Sequence, residues 1–250
     1  MTTVENSIAN HRLRVCFPTG LAKATRVNVD SPFDVVARPI AIPDSTGWYE
    51  AAARTQPTIS FVDVSDGDAG LAVLHYGCSE YEVVDDPTRT IALTLLRCFG
   101  NAGNPTETHV NQPLAQCPGK HTFRYAVQPH TGDWRRGGVL QQAGLYTSRL
   151  RAVVCTAHAG TLPRRHSFFE VGPGAFVVTA VKQSEAGDGI VVRGYNSTPE
   201  TMTVTLRLPE SVKCAVQVTL EETAMGELPL RGGKVTLSVR AGEIASVLLR

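Results

Sequence analysis

Side chains able to give, take or hold charge concentrate between positions 63 and 86: Asp63, Asp66, Asp68, Glu80, Glu82, Asp85 and Asp86. Cleavage of a glycosidic bond by a carboxyl pair needs two such groups about 5 to 10 Å apart, and this stretch supplies the residue types. Most of these acids neighbour turn signals, Ser65-Asp-Gly-Asp-Ala-Gly70 and Asp85-Asp-Pro87, where Asp bonds its own backbone and faces water. They are therefore expected to be solvated turn formers, Asp63 among them. The run Asp63-Val-Ser-Asp66-Gly-Asp68 is superficially like a calcium loop. With Gly67 as the required glycine, however, the first ligand falls on Val62 and the last on Val73, so the match fails.

Other chemistries lose their usual signatures. The seven histidines (His11, His75, His109, His121, His130, His158 and His166) are well separated, with no His-x-His, His-Glu-x-x-His or paired-Cys motif to hold a metal. Neither a Gly-x-Ser-x-Gly elbow nor a Gly-x-x-x-x-Gly-Lys phosphate loop occurs. Cys16, Cys78, Cys98, Cys117, Cys155 and Cys214 are scattered in or beside apolar runs and read as buried free thiols. Lys+Arg 24 against Asp+Glu 23 gives a net charge of +1, which offers nothing to nucleic acid or an anionic membrane. No apolar run approaches a membrane span, and Met1 to Asn10 lacks a signal-peptide pattern, so the expected location is cytoplasmic.

The elements that must position these residues read as strands. Thr58 to Arg97 holds three apolar runs, Thr58–Val64, Leu71–Tyr76 and Thr90–Arg97, separated by turns, and predicts a β-meander. Alternation predicts earlier strands at His11–Pro18, Lys23–Val29 and Phe33–Ala37. A long connection from Arg38 to Pro57 follows, carrying Trp48. A surface loop over Phe99–Gly119, a strand over His121–Gln128 and a short helix between Trp134 and Leu150 come next. Beyond Pro163 the runs Ser167–Val171, Phe176–Lys182, Gly189–Tyr195, Thr201–Leu208, Val212–Leu220, Lys234–Val239 and Glu243–Leu249 recur about every ten positions. That spacing is the signature of a small sandwich. Pro163 with Arg164 and Arg165 interrupts the pattern, placing a boundary there and giving domains of residues 1–162 and 163–250.

In order along the chain, His11-Arg-Leu-Arg-Val-Cys-Phe-Pro18, Phe33-Asp-Val-Val-Ala-Arg-Pro-Ile40, Phe61-Val-Asp-Val-Ser-Asp-Gly67 with Gly70-Leu-Ala-Val-Leu74, Leu93-Thr-Leu-Leu-Arg97 and His121-Thr-Phe-Arg-Tyr-Ala-Val-Gln-Pro-His-Thr-Gly-Asp-Trp134 resemble the C-terminal β-domains of glycoside hydrolase family 38 α-mannosidases. Ser167-Phe-Phe-Glu-Val171 and Gly187-Asp-Gly-Ile-Val-Val-Arg-Gly-Tyr-Asn196 resemble that family's terminal sandwich. The resemblance implies a mainly β fold. A large antiparallel β-sandwich, part of the family's galactose-mutarotase-like central sandwich and incomplete at its N-terminus, precedes a smaller C-terminal β-sandwich.

The resemblance also implies a retaining α-mannosidase whose catalytic Asp and zinc ion lie in an upstream α/β domain. The zinc-ligand motifs have no counterpart in these 250 residues, so no catalytic or metal-binding residue carries over and zinc is expected only in that other domain. His75-Tyr-Gly-Cys78 also departs from the Asn-Asp type of turn common at that place in the family. The implied partners are an α-mannoside, the catalytic domain or chain, and a second copy covering exposed strand edges. Where sugar is touched, loop polar and aromatic groups are the candidates: Trp48, Asp66, Asp68, Arg97, Tyr195 and Asn196. The alternatives are a free-standing carbohydrate-binding module, for which two tryptophans and 6% aromatics offer little stacking surface, or a structural assembly domain.

Overall fold

A computed structural model describes residues 1–100, 113–148 and 150–250, which form two compact units, 1–151 and 152–250. In the first unit the strands run β1 (Thr2–Asn6), β2 (Arg12–Phe17), β3 (Arg26–Ser31), β4 (Asp34–Pro39), β5 (Gln56–Pro57), β6 (Phe61–Ser65), β7 (Ala69–Tyr76), β8 (Glu80–Val83), β9 (Ile91–Arg97) and β10 (Gly119–Thr131), followed by helix α1 (Val139–Thr147). They make an antiparallel six-stranded sheet, β1-β10-β7-β6-β3-β4, and a four-stranded sheet, β2-β9-β8-β5. Val27, Val29, Val62, Val64 and Val73 of the first share one core with Tyr81, Val83, Ile91 and Leu93 of the second. Two sheets facing across one apolar layer are a sandwich.

The expected meander holds only for its first hairpin. β6 pairs with β7, but β9 lies in the other sheet between β2 and β8. The chain changes sheets after Tyr76, at Gly77, whose φ of 78° is open to glycine at little cost. The expected loop over Phe99–Gly119 falls largely on residues outside those described; its end forms a 3₁₀ turn over Pro113–Gln116. All six cysteines are free, but only Cys78 and Cys98 are buried, whereas Cys16 and Cys155 are exposed. Apolar neighbours in sequence did not predict depth, because alternate residues of a strand face opposite ways.

Asp63 corrects the expectation that it is a solvated turn acid: it sits inside β6 and is 0% exposed. Val62 and Val64 point into the sandwich core, which turns Asp63 to the sheet's other face, opposite Ala72 of β7 and Asn28 of β3. There Asp63 Oδ1 meets His130 Nε2 at 2.7 Å, while Asn28 Nδ2 and Ser65 Oγ donate to Oδ2 at 3.4 and 3.3 Å. Burial pushes the Asp63 carboxyl up, and His130, Asn28 and Ser65 partly hold it back. The His130 ring fits because its neighbours lack side chains. A Cβ on Gly70 would lie 2.2 Å from His130 Cε1, and one on Gly137 would lie 2.6 Å from Cγ.

Gly137 begins the segment that covers this face. Gln128 Nε2 donates to the Gly137 carbonyl at 2.9 Å, Trp134 packs against Phe61 with ring centroids 6.4 Å apart, and Val139, Leu140 and Ala143 bury one side of α1. On the core side of β7, Thr58 Oγ1 donates to the Phe61 carbonyl at 2.9 Å. Its oxygen then accepts from His75 Nε2 at 3.0 Å, and Nδ1 has no partner. Desolvation lowers the His75 pKa to about 4, so the ring is neutral.

In the second unit β11 (Glu170–Gly172), β12 (Phe176–Gln183), β13 (Ile190–Asn196), β14 (Met202–Arg207), β15 (Ala215–Val218), β16 (Ala224–Glu227), β17 (Lys234–Val239) and β18 (Ile244–Leu249) form sheets β11-β14-β17 and β12-β13-β18-β15-β16. Val204, Leu206, Val235, Leu237 and Val239 of the first face Phe176, Val192, Ala215, Ala245 and Val247 of the second. Asn196 ties the end of β13 to its surroundings. Its Nδ2 donates to the carbonyls of Glu200 (2.6 Å), Val239 (3.2 Å) and Arg240 (3.0 Å), and its Oδ1 accepts from Thr198 N (2.8 Å) and Oγ1 (2.7 Å).

Three outcomes follow from this packing. Gly70→Ala drives a methyl into the His130 ring and should cost about 1–3 kcal/mol in denaturant unfolding, whereas Gly144→Ala, with open space at its Cβ, should not destabilise. Asn196→Ala removes the amide that bonds three carbonyls, of which that of Glu200 keeps Thr198 Oγ1 and that of Arg240 keeps Glu243 N–H, and should cost about 1–3 kcal/mol. The folded-state pKa of His75 is depressed, so its contribution is complete above pH 6.5 and is lost as pH falls through about 4. Acid should therefore remove on the order of 3 kcal/mol through this ring, and unfolding midpoints of His75→Phe across that window should lack this part of the slope.

Candidate functional site

The six residues expected to touch sugar lie in separate places. Asp66 and Asp68 share the β6–β7 turn and are exposed. Asp66 Oδ1 accepts the backbone N–H groups of Asp68 and Ala69 at 3.1 Å each, and these bonds hold its carboxyl below the usual range. The carbonyl of Asp68 accepts Gly132 N–H at 2.8 Å, joining this turn to the end of β10. Trp48 is 60% exposed, and its neighbour Tyr49 97%, on the connection between β4 and β5. Arg97 closes β9 with its guanidinium 5.5 Å from the centre of the Phe99 ring. Tyr195 and Asn196 are buried at the end of β13 in the second unit, Asn196 with the backbone bonds described above.

The remaining acids of the 63–86 stretch do not form a free carboxyl pair. Glu80 and Glu82 alternate along β8 and so share one face of the four-stranded sheet. Each is met by arginine: Arg12 Nε lies 3.2 Å and Arg97 Nη1 4.0 Å from Glu80, and Arg14 Nη1 pairs with Glu82. Thr94 Oγ1 donates to Glu80 at 2.8 Å. Asp85 pairs with Arg89, and Asp86 accepts from Thr88 and Thr90 within its own turn. Asp63 and His130 are an acid–base couple in residue type, but both side chains are closed to solvent, so the couple cannot reach a substrate.

Among the described residues no group of three or more His, Cys, Asp or Glu side chains could hold a metal ion, so a catalytic zinc does not fit this donor set. No described helix is long and apolar enough to cross a membrane. A concave site lies under the β4–β5 connection, lined by Arg38, Ile40, Ile42, Arg54, Gln56 and Tyr81 among others. Sequence reasoning missed Arg38 and Tyr81, which lie 43 positions apart and become neighbours only when β4 and β8, in different sheets, face one another. It also missed the pairing of Asp63 with His130. The one local signal was an acid in the middle of the apolar run Phe61-Val-Asp-Val64.

Comparison with known proteins accounts for this arrangement. Residues 2–101 match the glycosyl hydrolases family 38 C-terminal domain, and residues 175–247 match the glycosyl hydrolases family 38 C-terminal beta sandwich domain. A putative mannosylglycerate hydrolase of Halalkalibacterium halodurans is 30% identical over 197 residues, 77% of this chain and 20% of that protein. Human alpha-mannosidase 2C1 is 26% identical over 96% of this chain and 22% of its own length. The crystal structure of an alpha-mannosidase from Enterococcus faecalis V583 superposes with a TM-score of 0.83 at 31% identity, over 99% of this chain and 27% of that one. The chain thus spans between a fifth and just over a quarter of the length of these relatives. With two matching domain models in the expected order and the same fold throughout, the chain belongs to the C-terminal β-domains of glycoside hydrolase family 38.

Proposed function

We propose that the chain is the non-catalytic C-terminal β-region of an α-mannosidase, supporting a catalytic domain and edging its substrate site. The observation that carries this reading is the pairing of two matched family-38 C-terminal domains with acids between positions 63 and 86 that, Asp68 apart, are committed to arginines, turns or a buried histidine. Hydrolysis of a terminal α-mannoside through a glycosyl-enzyme intermediate would then be performed by the partner domain, and the zinc ion would be bound there. Trp48, Asp66, Asp68 and Arg97 present side chains that could meet the sugar from loops and strand ends. Tyr195 and Asn196 would act from the second unit by shaping the turn after β13. A cytoplasmic location and self-association through free strand edges belong to the same proposal.

A second reading, a free-standing carbohydrate-binding module, draws on Trp48 and Tyr49, adjacent and exposed on one loop. One experiment separates the two. The purified chain is assayed on an aryl α-mannoside with zinc, alone and mixed with the separately produced catalytic part of the Enterococcus faecalis relative. The chain alone should give a flat baseline, and the mixture should exceed the catalytic part alone by at least tenfold. Hydrolysis that follows this chain through purification would overturn the proposal. Mannoside binding by the chain, with no effect on the catalytic part, would favour the binding module.

A further inference from the structure

The site under the β4–β5 connection has the chemistry of an anion receptor and no anion of its own. Its cavity of about 220 Å³ is walled by Ile40, Ile42 and other apolar side chains, and two guanidinium groups, Arg38 and Arg54, line it without any Asp or Glu. Neither arginine forms an ion pair among the described residues, although eleven such pairs occur elsewhere in them. Tyr81 is 1% exposed, its hydroxyl lies beside the Arg38 guanidinium, and neither that hydroxyl nor the buried Arg38 Nη1 makes a well-aligned hydrogen bond among the described residues. Buried donors are normally satisfied, and these two, which have at most each other in the same small cavity, lack an anionic acceptor. Burial pushes the Tyr81 phenol up, more than the neighbouring Arg38 draws it down, so the hydroxyl keeps its proton and donates.

We propose that this cavity binds a small organic carboxylate. Arg38 and Tyr81 donate to its oxygens, Arg54 supplies further positive charge and the isoleucines take its short carbon chain. Arginine suits carboxylate because its planar fork donates in parallel to both oxygens. The apolar wall favours a carboxylate with a carbon skeleton over a compact, strongly hydrated inorganic anion. The small volume favours a ligand of a few carbons, and every lining residue belongs to the first unit.

The test uses the full chain, isotopically labelled, with lactate as probe. The controls are propane-1,2-diol, which has the same carbon skeleton without the carboxylate, and inorganic phosphate. Lactate should shift the Gln56 side-chain amide and the Arg38 and Arg54 guanidinium signals in a saturable way at millimolar concentration, and neither control should. Tyr81→Phe removes a hydroxyl that has no acceptor for its proton among the described residues. It should leave the unfolding midpoint unchanged or raise it, while weakening lactate at least fivefold, and Arg38→Gln should weaken it at least tenfold. Absence of saturable shifts with lactate, equal shifts with the diol, or binding unaltered in both variants would overturn the proposal. A loss of stability in Tyr81→Phe with lactate affinity intact would do so as well, by showing the hydroxyl to be structural.

Discussion

Asp63 is a carboxyl group at 0% exposure in the middle of a six-stranded sheet, and much of the outer layer of the first unit answers to it. A buried carboxyl without partners would be costly, so His130, Asn28 and Ser65 converge on its two oxygens. Bringing an imidazole to that point demands room, which Gly70 and Gly137 supply by having no side chain. Because Gly137 lies in the chain that follows β10, the same contact fixes where that chain folds back. It sets Trp134 against Phe61 and the apolar side of α1 over the sheet. One polar pair thus specifies the position of an element whose three glycines, Gly137, Gly138 and Gly144, make it a weak helix by itself.

Residue types suited to acid–base catalysis are held here by partners of their own. A histidine 2.7 Å from a carboxylate is a couple that could move a proton, but both side chains are closed to solvent. On the outer face of the second sheet Glu80 is half-buried and Glu82 buried, and arginines pair with both. These ordered polar groups of the first unit tie its strands and layers together. The Arg38–Tyr81 cavity breaks the pattern, since among the described residues its donors meet no anionic acceptor.

Much of the fold was legible because half-buried strands alternate with period two. β2, β3, β7, β9, β12, β13, β14, β17 and β18 each lie within or largely overlap an apolar run read from sequence. The strands that escaped notice lack that signal. β1 has a single apolar residue in Thr2-Thr-Val-Glu-Asn6, β16 is exposed along its whole length, and β8 is four residues long with two glutamates whose arginine partners lie in or at the end of β2 and β9. The site was less legible. Pairing across 67 positions put His130 on Asp63, and a change of sheet after Tyr76 brought Tyr81 to Arg38. Neither event leaves a mark in local spacing. The family, in contrast, was readable from the order of several phrases, none of them distinctive singly.

Trp134 offers the most direct measurement. It is 3% exposed beneath the layer that His130 holds, and Trp48 is the only other tryptophan, so Trp48→Phe leaves a single fluorescent reporter of that layer. In that background Trp134 should emit in the blue and resist quenching by acrylamide. Adding His130→Ala should shift the emission to the red and raise the quenching severalfold, while far-ultraviolet circular dichroism still reports intact strands. Unchanged emission and quenching in the His130→Ala chain would contradict the assignment of the Asp63–His130 pair as the contact on which this face depends.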